Sequence, residues 1–166
     1  MVPADVEGKD ADLRAMLDTQ VGDLERRIES VIAQEETSAA KARLLRSFPG
    51  IGPVSAAMLI AEMPELGRMT SGGVAAITGL APVPHDSGTM RGRRAIAGGR
   101  RALRHVLFQA ALAAACHNPD LKPVAQRLKM RGTPHKLVIV AIARRLVTIA
   151  NAILKTGIPW RQNPIT

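Results

Sequence analysis

From about Asp10 to Glu36, the apolar residues Leu17, Val21, Leu24, Ile28 and Val31 recur at alternating spacings of four and three, with charged residues between them. That alternation is the heptad seam of a helix. Roughly three heptads contribute little stability alone, so the seam needs cover from another helix or another subunit. Self-association through it is the first reading, and a helix folded back onto its own domain is the alternative. Residues 1–40 are set apart on this basis as a coiled-coil or linker helix.

A short helix to about Ser47 follows, then Phe48-Pro49-Gly50-Ile51-Gly52-Pro53, then a small-residue helix from Val54 to about Met63. This is the pattern of a helix-hairpin-helix near 44–63. Gly50 and Gly52 let the chain turn and bring bare N–H groups close to a ligand, and amides at a helix N-terminus suit a phosphate. A tight turn whose glycines only permit close helix packing is the other reading. Thr70 or Ser71 can cap a further short helix ending at Gly79.

Residues 80–99 show neither helical nor strand periodicity and are rich in Pro, Gly and charge, the mark of a long functional loop. Helices resume over 99–117, 119–131 and 134–156. The first has Leu103, Val106, Leu107, Ala110, Ala111 and Ala114 on its apolar side. Asn118-Pro119 supplies a cap and a first-turn proline for the second, Thr133-Pro134 repeats the device for the third, and Gly157 is the natural stop. Residues 162–166 form a tail. No segment argues for a sheet, so the expected fold is all-α: an N-terminal coiled-coil helix, then a compact helical domain over 41–161.

Charge changes this picture more than composition does. The 166 residues, 46% of them apolar, suffice for one cored domain with an appendage. The net charge of +9 divides into −5 over residues 1–86 and +14 over residues 87–166, where Asp120 is the single acid. A folded, strongly basic half is the footprint of a polyanion partner, because neutralising phosphates releases condensed counterions. Nucleic acid is the first candidate. A membrane surface is the weaker one, since no aromatic-anchored amphipathic helix is present. The only aromatics are Phe48, Phe108 and Trp160. That scarcity argues against modules that stack bases on aromatic platforms and favours backbone contacts to double-stranded DNA. No uncharged apolar run reaches the roughly 18 residues of a membrane span, and the N-terminus is acidic, so a cytoplasmic location is expected. The lone Cys116 lies in an alanine-rich run and is expected to pack inside.

Six arginines, Arg91, Arg93, Arg94, Arg100, Arg101 and Arg104, fall within fourteen residues, and no acid stands between Ser87 and Arg104. Arginine forks grip phosphate oxygens bidentately and stabilise charge at a reacting phosphate. Ser87, beside Gly88, stands at the mouth of this cluster. A serine there can attack a phosphodiester in line and become a phosphoserine, although as bare residues Ser-Gly is simply a turn. His85-Asp86-Ser87 is not a triad, since immediate neighbours project in different directions. Outside the N-terminal helix the acids are Glu62, Glu65, Asp86 and Asp120, which no motif pairs. His105, His117 and His135 lack ligand partners at useful spacing and are read as structural or phosphate-contacting. No complete metal site is expected in this chain.

Together, Phe48-Pro49-Gly50-Ile51-Gly52-Pro53 to Glu62, Gly79-Leu80-Ala81-Pro82, Ser87-Gly88, Arg91-Gly92-Arg93, Gly98-Gly99-Arg100-Arg101, Leu103-Arg104 and His117-Asn118-Pro119 closely resemble the C-terminal transposase domain of the insertion sequence 110/116/902 family. The resemblance covers roughly residues 43–161. It implies a recombinase with an N-terminal RuvC-like domain whose acidic tetrad holds Mg²⁺, a coiled-coil linker, and a helical domain that supplies a nucleophilic serine. By that pattern Ser87 matches the serine that becomes joined to DNA, and the arginines fall where the family presents positive charge to DNA or to a bridge RNA. The RuvC-like domain has no counterpart in these residues, so Mg²⁺ and full activity are expected to require it from elsewhere. The alternatives are a non-catalytic helix-hairpin-helix module that grips nucleic acid through Gly50, Gly52 and the arginines, and a coiled-coil subunit whose basic half is only a solvated surface.

Overall fold

The computed structural model describes residues 4–83, 95–96 and 98–161, with side chains over 9–81 and 98–161. Seven helices make up the described chain: α1 (Ala4–Gln34), α2 (Glu36–Arg46), α3 (Pro53–Glu62), α4 (Ser71–Ile77), α5 (Arg101–His117), α6 (Leu121–Met130) and α7 (His135–Thr156). The fold is all-α, with one addition that periodicity gave no hint of. Two-residue strands β1 (Pro82–Val83) and β2 (Ala95–Ile96) pair antiparallel, Pro82 opposite Ile96 and Val83 opposite Ala95. Two residues are too few to leave an alternating pattern.

The break between α1 and α2 falls at Glu35, whose extended backbone ends the heptad helix. Its carboxylate accepts hydrogen bonds from the Ser38 and Thr37 hydroxyls, both at 2.7 Å, and these hold its pKa below the usual carboxylate range. The heptad seam lies along α1 and is uncovered: Leu17, Val21, Leu24, Ile28 and Val31 are 40–60% exposed.

The core is a pair of long helices. Leu103, Leu107, Ala110, Ala111 and Ala114 of α5 meet Val138, Ile139, Ile142, Ala143, Leu146, Val147 and Ala150 of α7, all buried. The alanine face of α5 admits close approach and the branched face of α7 fills the space. By length and composition α7 could cross a membrane, but half of that window is buried inside the fold, where it serves as the core helix.

Cys116 corrects the expectation of burial, for it lies exposed. The inward stripe of α5 runs through 107, 110, 111 and 114, and a residue two positions beyond Ala114 turns to the opposite side of the helix.

Caps behaved unequally. Thr70 Oγ1 accepts from Gly73 N at 3.1 Å and starts α4, and Gly157, at φ +67°, ends α7. At Thr133-Pro134, by contrast, no side chain caps α7, and the Pro134 carbonyl itself accepts from Leu137 N and Val138 N.

Long-range ties join side chains to distant backbone. Asn151 of α7 donates to the Met69 carbonyl at 2.9 Å and accepts from Gly67 N at 2.8 Å, which fixes the α3–α4 connection. Ser47 Oγ accepts from Trp160 N at 2.8 Å, and the Trp160 ring meets Phe48 edge to face at 5.4 Å.

Candidate nucleic-acid interface

The chain leaves α4 at Ile77 and returns to begin α5 at Arg101, so the two ends of the intervening loop must meet. They meet through glycines. Gly79 and Gly99 sit at φ +65° and +70°, and a Cβ on Gly99 would lie 2.2 Å from the Gly79 nitrogen. Arg100 N donates to the Ile77 carbonyl at 2.8 Å and adds a stitch beside them. Gly99 is thus a glycine that the closure of the loop itself demands.

The arginines at the loop's exit take different tasks. Arg100 pairs with Glu65 at 2.8 Å and also donates to the Glu62 carbonyl, so it ties the start of α5 to the end of α3. Arg104 donates to the Gly98 carbonyl at 2.7 Å. Arg101 is exposed and, among the described residues, has neither a hydrogen-bond nor an ion-pair partner. His105 stands one turn after Arg101, and Lys136 approaches from the first turn of α7. Neither was among the arginine candidates. In sequence His105 reads as structural or phosphate-contacting, and its spacing of four from Arg101 is the signal for placing it beside the arginines; Lys136 lies on a different helix and has none. Among the described residues, Arg100 is the one cation of the basic half with an acidic partner, while the other ion pairs fall on α1 and α2. The cations of α5–α7 thus have no acidic partner among the described residues.

Gly50 and Gly52 divide the two readings of their turn. Gly50, at φ +113°, faces α5, where a Cβ would come within 2.7 Å of the Ala114 Cβ. Gly52 precedes α3 as its cap, exposed and facing open space. Val54 and Met58, just inside α3, share a groove with Arg101 and His105, so the starts of α3 and α5 flank one surface. Ser87, Arg91, Arg93 and Arg94 lie outside the described residues.

Among the described residues no three His, Cys, Asp or Glu side chains gather as a metal site requires. Glu65 is engaged with Arg100. The described residues do not fit the Mg²⁺ that the resemblance implies for another domain.

Comparison with known proteins places this sequence in a family. The model of the family described as Transposase IS116/IS110/IS902 matches residues 42–126, from the buried Ala42 of α2 into α6. The chain is 31% identical over 116 residues to the insertion element IS110 uncharacterized 43.6 kDa protein of Streptomyces coelicolor, covering 69% of this chain and 29% of that protein. It is 31% identical over 143 residues to the insertion element IS900 uncharacterized 42 kDa protein of Mycobacterium paratuberculosis, covering 84% and 35%. With the pilin gene-inverting protein of Moraxella bovis it shares 30% identity over 124 residues, 72% of this chain and 38% of that one. The chain thus spans about a third of the length of these curated relatives. The matched segment holds the 47–52 turn, the glycine-closed loop and the start of α5 together, and on it this chain belongs to the IS116/IS110/IS902 transposase family.

Proposed function

We propose that this chain is the DNA-binding, nucleophile-bearing part of a transposase, and that Ser87 cleaves and transfers DNA strands. The observation that carries the reading is a set of basic side chains that have no partner among the described residues and stand where the segment carrying Ser87 enters α5. Arg101, His105 and Lys136 line one cavity there, together with Leu80 from the other end of the same segment. Cations without acids, held at a closed loop base inside a transposase-family segment, suit a phosphodiester backbone. In the step proposed, Ser87 Oγ bonds to phosphorus and one P–O bond to a sugar oxygen breaks. The hydroxyl proton leaves with that oxygen, and a strand hydroxyl later reverses the exchange. Duplex DNA is the substrate class, a guide RNA a further partner, and the cytoplasm the location that suits this work. Gly50 and Gly52 add backbone amides at the start of α3, and Arg91, Arg93 and Arg94 add charge along the loop.

The test combines the chain with a RuvC-like acidic domain of the family and DNA carrying element ends, then looks for a covalent protein–DNA adduct on a denaturing gel. An adduct that Ser87→Ala abolishes supports the assignment. One that survives the change refutes the nucleophile and leaves a non-catalytic binding module.

The uncovered seam of α1 supports self-association of this helix. Leu24, Ile28 and Val31 share an apolar groove of about 400 Å³ with Ala57, Ile60 and Ala61 of α3. A partner helix seated there would bury surface that water now covers. Changing Leu24 and Ile28 together to Glu should therefore shift sedimentation equilibrium from an oligomer to the monomer. An unchanged mass would place the seam outside the interface.

A further inference from the structure

The three aromatic rings of this chain do not share one fate. Phe48 and Trp160 engage each other in the core. Phe108 instead lies on α5 one turn beyond Arg104, half-buried, at a cavity of about 400 Å³ between α5 and α7. Leu80 and Val140 complete the apolar part of its lining, and Arg101, Arg104, His105 and Lys136 supply the rest. Among the described residues no carboxylate enters the lining, and three of those four basic side chains have no partner there.

A stacked duplex offers such a place only its phosphates, which would use the cations and leave the apolar wall idle. A concave site with an apolar wall and a cationic rim matches a ligand that is flat and apolar at one end and anionic at the other. Nucleotides have that shape, and a nucleotide can enter a cavity only when it is not stacked in a helix. A volume of about 400 Å³ falls within the range of small-molecule sites.

We propose that this cavity takes one unstacked nucleotide of a single-stranded segment, with its phosphate on Arg101 and Lys136 and its base against Phe108. The proposal rests on nucleic acid as the partner, but not on the role of Ser87. It also modifies the sequence-level expectation that scarce aromatics leave only duplex backbone contacts, because the position of a ring matters more than the number of rings.

The test titrates the whole chain, at fixed salt, against a fluorescent oligothymidylate, the matching oligouridylate and a duplex. Phe108→Leu, which keeps apolar bulk, is expected to weaken single-strand binding roughly tenfold while duplex affinity stays within about twofold. Lys136→Ala removes an exposed charge without touching the core. It is expected to weaken single-strand binding several-fold and to lower the salt dependence by about one counterion. Tighter binding of one oligonucleotide over the other identifies DNA or RNA as the source of the strand. Single-strand affinity left unchanged by either variant, or equal weakening of single strand and duplex by Phe108→Leu, overturns the proposal. Neither titration involves covalent chemistry, so failure here and failure of the Ser87 adduct are separate results.

Discussion

Replacing Gly99 with alanine should lower the unfolding free energy by about 3 kcal/mol or more, in two parts that can be measured apart. The left-handed backbone at φ +70° costs an alanine about 1–2 kcal/mol. The added Cβ would also lie 2.2 Å from the Gly79 nitrogen and 2.6 Å from the Ile77 oxygen. Both are backbone atoms, so no rotamer change relieves the contact, and forced overpacking of this kind costs about 1–3 kcal/mol more. The chain can escape only by parting the loop base. That breaks the Arg100 N to Ile77 O bond and pulls the Arg100 guanidinium from Glu65. Gly98→Ala is the control, since Gly98 has nearly the same φ, +69°, with nothing among the described residues within 4 Å of its added Cβ. It should lose only the backbone part, about 1 kcal/mol. Urea unfolding of the two variants checks this. Equal losses would show that close approach of the loop ends is not what holds Gly99.

This pair also marks how far the sequence could be read. Patterns carried by neighbours were legible. The spacing of Leu17, Val21, Leu24, Ile28 and Val31 specified a helix with an apolar seam, Thr70 or Ser71 announced a cap, and Gly157 announced a stop, because each signal acts within a turn or two of itself. Partnerships across the chain were not legible. Nothing near Arg100 in sequence points to Glu65, and nothing near Asn151 points to Gly67 and Met69, more than eighty residues away. Six arginines could therefore be read only as one cluster, whereas the fold gives Arg100 to its own architecture and leaves Arg101 exposed and without a partner among the described residues. Gly50 was read for its permissive backbone, and only the packed fold shows that Ala114 occupies the space a side chain would need. The chemistry proposed for Ser87 is of a third kind. It comes from resemblance across the whole run of motifs, since a serine beside a glycine carries no such message by itself.

The second large effect is expected at Asn118, a fully buried polar side chain with three partners. Its Oδ1 accepts from Asp120 N at 2.9 Å and Leu121 N at 3.0 Å, which starts α6. Its Nδ2 donates at 2.6 Å to the carbonyl of Pro49, in the turn before α3. One carboxamide thus joins two connections that are 69 residues apart. Asn118→Leu keeps the volume and removes all three bonds, stranding two N–H groups and one carbonyl. Each buried unsatisfied group costs about 1–3 kcal/mol, so a loss of roughly 3–5 kcal/mol is expected after some of them recover water. Thr70→Ala sets the scale. That cap makes one exposed bond to Gly73 N, and its loss should cost about 1 kcal/mol. If Asn118→Leu costs no more than Thr70→Ala in urea unfolding, the bond to Pro49 contributes nothing and Asn118 is an ordinary cap. A loss several times larger, together with faster hydrogen exchange at Ile51 N, which bonds to Phe48 O at 3.1 Å, identifies Asn118 as the tie that holds the 47–52 turn against the end of α5.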